Sequence, residues 1–114
     1  MKLPNREKAV VRRSKIVNYL LSATHQDGQG KANFFIRFGF STEAWQILAE
    51  ALRQHTEYEV VKIEDSPYGI RYVIEGELQT PDGRSPQVRS IWFIETEKNQ
   101  PSFVTAYPLR KRGK

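Results

Sequence analysis

The chain has 114 residues and a mass of 13.3 kDa, enough for one modest core, so it is read as a single domain over residues 1–114. Cysteine is absent, which excludes disulfides, thiolate metal sites and thiol nucleophiles; no apolar run suits a membrane span, and the basic start MKLPNREKAVVRR has no apolar stretch behind it, so a cytoplasmic location without a secretory signal is expected. The formal charge of +5 is concentrated in the basic ends, 1–13 and 109–114, around a net-acidic body; such ends read as solvated, mobile tails before they read as a nucleic-acid arm.

In chain order, SKIVNYLLS (14–22) sets Ile16, Val17, Leu20 and Leu21 on one stripe of a short helix, with Ser14 as its N-cap. A loop holding His25, Gly28 and Gly30 follows. KANFFIRF (31–38) reads as a second short helix stopped by Gly39. Ser41 or Thr42 then caps TEAWQILAEALRQH, whose Trp45, Leu48, Ala49 and Leu52 recur at helical spacing and define a buried face. From residue 58 the period changes to alternation. YEVVKIE, GIRYVIEGELQT, PQVRSIWFIE and SFVTAY read as four strands separated by the turn clusters DSPYG, TPDGR and TEKNQP. Helices first and a meander afterwards predict an α+β fold: two to three N-terminal helices packed on one face of a four-stranded antiparallel meander sheet.

The usual chemical signatures are missing. GQGKANF is too short for a phosphate-binding P-loop, and His25 with Asp27 makes no metal site because His55 lies on another element. No metal and no cofactor is expected. Glu75 and Glu77 share one strand face and read as solvated carboxylates. His25 has an imidazole suited to proton transfer near neutral pH, and Lys31 follows near a helix start that favours anions. The plain alternative is that His25 caps a helix and Lys31 is simply exposed. His55, at a helix end, reads as a favourable C-terminal charge. On the last strand, alternation puts Phe103, Thr105 and Tyr107 on one side and Val104 with Ala106 on the other. Arg71 and Arg89 occupy central strand positions. Arg, Thr and Tyr on one face suit phosphate binding and base stacking; surface ion pairs to Glu75 or Glu77 are the competing reading, and Trp92 is read as a core aromatic.

The order LPN…YLLS-x-x-H-x-x-G-x-x-K-A-x-F-F…GF, then YG-x-x-Y-x-x-x-G, P-x-G-R, V-R-x-x-W and V-T-A-Y-P, from Leu3 to Pro108, resembles a family of uncharacterised small bacterial toxin-like domains. Such domains stand alone beside small partner genes or end larger polymorphic toxins, and their element order is similar to the barnase, EndoU, colicin and RelE-like ribonuclease superfamily. The resemblance implies metal-independent RNA cleavage, with RNA as substrate and a small cognate antitoxin or immunity protein as partner. It implies His25, Lys31 and Tyr107 as catalytic residues and Arg71, Arg89 and Thr105 as substrate-binding ones. The net-acidic body departs from strongly basic ribonuclease toxins, so a non-enzymatic interaction module, antitoxin-like or accessory, stands as the alternative.

Overall fold

The computed structural model describes residues 1–22 and 29–109, the side chains of 29–31 excepted. An α-helical turn, Arg13–Lys15, runs straight into a π-helical stretch, Ile16–Leu20, and the two together form α1. α2 spans Gln29–Arg37 and α3 spans Trp45–His55. The strands are β1 (Val60–Ser66), β2 (Gly69–Glu77), β3 (Gln87–Glu95) and β4 (Ser102–Pro108). They form one antiparallel sheet in the order β1-β2-β3-β4, the expected meander with the helices before it.

The helices bury one sheet face. Ile16 and Leu20 of α1, Phe35 of α2 and Leu48 and Leu52 of α3 are fully enclosed, and they meet Ile74, Val88 and Trp92 of the sheet. Stripes at helical spacing on three short helices thus close over the inward phase of the strands. Trp92 stacks edge-on against Phe103, ring centroids 5.4 Å apart.

α2 ends as its sequence predicts. Gly39 takes φ +105, Phe40 N–H donates to Phe35 C=O at 3.2 Å, and Gly39 N–H donates to Ile36 C=O at 2.9 Å. This pair of bonds is the Schellman arrangement, which needs a residue tolerant of positive φ, and the Phe35–Phe40 ring contact completes it. By contrast, α3 starts later than its sequence suggests. Its N-cap position is Ala44, and Ser41 Oγ accepts from Ala44 N–H at 3.3 Å without capping the helix itself.

The basic N-terminal stretch is woven into the body. Leu3 and Val11 are buried, Met1 C=O accepts from Val60 N–H at 2.7 Å, and Val10 bridges Ser102 beside β4. Residues 110–114 of the basic C-terminal end lie outside the described residues.

The last strand departs from plain alternation. Ile91 pairs with Thr105 and Trp92 with Phe103, so Val104 is an extra residue opposite no partner. This bulge lets Phe103 and Ala106 both point into the core, where straight alternation had set Phe103 beside Thr105 and Tyr107. Thr105 and Tyr107 keep their shared outward face.

Candidate functional site

The helices leave the opposite sheet face open, and its side chains follow from register. Glu75, Arg89 and Tyr107 are successive cross-strand partners on β2, β3 and β4. One step along, Val73, Ile91 and Thr105 make a second row, and Glu64, Arg71 and Phe93 a third. Val73 and Ile91 are only 6% and 8% exposed, so they form an apolar floor walled by the long charged chains around them. Lys62, Glu64, Arg71, Glu75, Arg89 and Tyr107 line a depression of about 470 Å³ above that floor.

Arg89 organises the upper row. Its Nε donates to Glu75 Oε2 at 2.7 Å, Nη2 donates to the same oxygen, and Nη1 donates to Tyr107 Oη at 3.3 Å. Its guanidinium also lies 5.8 Å from the centre of the Tyr107 ring. The bonds to Tyr107 and to Glu75 hold the guanidinium pKa above its ordinary value. Three side chains from three strands are therefore tied into one polar unit, with Tyr107 fixed by a cation. Arg71 sits apart from it, 3.8 Å from Glu64 in an exposed ion pair.

At the β4 edge, Thr105 Oγ1 and Tyr19 Oη are 3.1 Å apart, and Lys15 Nζ stands 5.5 Å from the Tyr19 ring centre. α2 also packs against β4. The elements before and after the His25 segment thus both contact the strand that carries Thr105 and Tyr107.

Arg71, Arg89, Thr105 and Tyr107 all stand on the open face, and Arg89 with Tyr107 are in contact. His25 lies outside the described residues. Lys31 falls in the first turn of α2, and its side chain lies outside them as well. The ion-pair reading of Arg89 with Glu75 is also realised, since one arginine makes both contacts. Trp92 is a core residue, fully buried.

His55 corrects the sequence reading. It is no surface charge at a helix end: it is 1% exposed, with Nδ1 2.7 Å from Ser90 Oγ and Nε2 3.1 Å from Gly76 C=O. Trp92 Nε1–H donates to the same Ser90 hydroxyl at 2.9 Å. The signal lay in Ser90, a polar residue between Val88 and Trp92 on the inward phase of β3, where a buried hydroxyl requires a partner.

The P-x-G-R motif has a structural explanation. Asp82 accepts from Thr80, from the Arg84 backbone and from Arg84 Nε, while Arg84 Nη2 donates to Arg37 C=O at 2.9 Å and covers the Phe38 ring. The β2–β3 connection thereby closes the carboxyl end of α2. Among the described residues, no group of three or more His, Asp or Glu side chains is placed to hold a metal ion. No described helix is long and apolar enough to cross a membrane.

A chain of a solved "Contact-dependent growth inhibition toxin - immunity protein complex from Klebsiella pneumoniae 342" has a similar fold, with a TM-score of 0.73. The likeness covers 93% of this chain and 97% of that one at 20% identity, and at such identity it shows the fold alone. No curated protein matches the sequence. The family model for the domain of unknown function DUF6883 matches residues 2–110, nearly the whole length, and the chain belongs to that family.

Proposed function

We propose that this chain is the RNA-cleaving toxin of a toxin–partner pair and acts without a metal. The observation that carries the reading is the Glu75–Arg89–Tyr107 unit on a sheet face that the helices leave uncovered. A guanidinium held in place beside a phenol is a ready anion site, and the apolar floor of Val73 and Ile91 gives a base a surface to lie on. Arg71 adds a second cation to the same depression. The fold shared with a chain of a toxin–immunity complex supports a toxin-system role.

In this mechanism the RNA 2′-oxygen attacks the adjacent phosphorus and the 5′-oxygen leaves, giving a 2′,3′-cyclic phosphate and a 5′-hydroxyl end. His25, carried by the segment between two elements that both pack on β4, takes or returns the proton. Lys31 and Arg89 neutralise the crowded phosphoryl oxygens, Glu75 holds Arg89 in position, and Thr105 with Tyr107 orient the phosphate.

The test is cleavage of a mixed RNA by purified chain in the presence of a chelator. Arg89→Ala and His25→Ala should each lower the rate about a hundredfold or more. Intact RNA at micromolar wild-type chain, together with harmless expression in bacteria, removes the reading. One observation favours the interaction module instead: the Arg89 charge is already compensated by Glu75. On that reading a protein partner co-purifies, and alanine at His25 or Lys31 leaves its binding unchanged.

A further inference from the structure

The two outer edges of the sheet are treated differently. Beside β4, Val10 forms a parallel bridge with Ser102, Phe103 N–H donates to Val10 C=O at 3.0 Å, and Tyr19 reaches Thr105. Beside β1, Met1 C=O meets Val60 N–H, and among the described residues the cover stops there. From Val61 to Ser66 no strand among the described residues lies alongside. Every second residue of such an edge turns its N–H and C=O outward, where another strand can take them up. The edge is also apolar in part: Val61 is 53% exposed and Ile63 50%.

The geometry points to a second copy of this chain as the occupant, paired antiparallel through β1 about Ile63. The argument is charge complementarity. Lys62 and Glu64 flank Ile63 symmetrically, so a two-fold axis through Ile63 sets Lys62 opposite Glu64 of the second copy and Glu64 opposite its Lys62. Both residues lie on the open face, as the partners of Val73 and Arg71, so each new pair meets on one face. Within one chain the two groups are already 3.1 Å apart, and in the dimer they exchange partners. The two Ile63 side chains meet on the helix side of the sheet. Charges on an edge usually guard it against pairing. Here they alternate in sign about an apolar centre, and the self-pairing turns them from guards into attractions. The result is a continuous eight-stranded sheet with the two depressions side by side. A single edge ladder falls at the small end of specific interfaces, so the dimer is weak and concentration-dependent.

Sedimentation velocity of the full chain over a concentration series up to about 100 µM tests this. The sedimentation coefficient of wild type should rise toward a dimer. Lys62→Glu, which sets like charges opposite each other twice, should raise the dissociation constant about tenfold or more. The exchange Lys62→Glu with Glu64→Lys should restore dimerisation, and far-UV circular dichroism verifies that each variant is folded. A wild-type chain monomeric across the series, whether its edge stays bare or takes a strand from a different protein, overturns the proposal. So does dimerisation indifferent to Lys62→Glu, or an exchange variant that stays monomeric.

Discussion

His55→Ala is the substitution whose cost can be worked out most directly from contacts. A carbonyl only accepts, so the bond to Gly76 assigns the proton to Nε2, and Nδ1 accepts from the Ser90 hydroxyl. Ser90 in turn accepts from Trp92 Nε1–H, which closes a chain of satisfied groups in the core. Truncation strands the Ser90 hydroxyl proton and removes a donor from Gly76. Each buried polar group left without its partner costs about 1–3 kcal/mol. The void left by a ring 1% exposed adds ~1–2 kcal/mol. A loss of about 3–8 kcal/mol is expected, a large part of the ~5–15 kcal/mol that holds a domain folded. Urea unfolding read by circular dichroism should show a lower midpoint with an unchanged slope. Because Ser90 is stranded only once its partner is gone, His55→Ala with Ser90→Ala should cost at least ~1 kcal/mol less than the two single changes added together. A penalty below ~1 kcal/mol for His55→Ala, or strict additivity, would refute the network.

Other outcomes follow from the same contacts. Burial pushes the His55 imidazole below its ordinary pKa of 6.5, so in acid the unfolded chain takes up this proton before the folded one does. Stability contributed by neutral His55 is therefore complete above about pH 6.5 and is lost as the pH falls toward the lowered folded value. Melting temperatures from about pH 7.5 to 5.5 should decline more steeply for wild type than for His55→Gln, and equal slopes would contradict this. A Cβ added at Gly76 would stand 2.5 Å from the Tyr58 ring, so Gly76→Ala should cost about 1–3 kcal/mol. In a Tyr58→Ala background most of that penalty should vanish; an unchanged penalty would place the clash elsewhere.

Much of the fold could be read before the structure, and the reasons are local. Trp45, Leu48, Ala49 and Leu52 announced α3 because a one-sided stripe on a helix must be buried. Ile70, Tyr72 and Ile74 announced β2 because period two has only two faces. Gly39 announced the end of α2 because a Schellman turn needs positive φ. What could not be read is non-local. His55 and Ser90 are 35 residues apart, and nothing near either one says that they meet. The polar unit of Glu75, Arg89 and Tyr107 depends on register, and β4 carries a bulge that alternation cannot foresee. Taken alone, Glu75 looks like a solvated carboxylate, and an ion pair with Arg89 is only one of the readings its sequence neighbourhood leaves open.

The extra residue at Val104 couples two properties that straight strands keep separate. Upstream of it β4 supplies Phe103 to the interior, and downstream it supplies Thr105 and Tyr107 to the exterior. Were Val104 paired in line instead, as in a straight strand, the phase of everything on one side of it would shift. Either the Trp92–Phe103 stack would turn out into water, or the threonine and tyrosine would turn in among aliphatic side chains. Val104 is thus a one-residue offset that leaves the interior lining and the outward row on their own faces, and removing it would join Phe103 directly to Thr105, neighbours that plain alternation already sends to opposite sides.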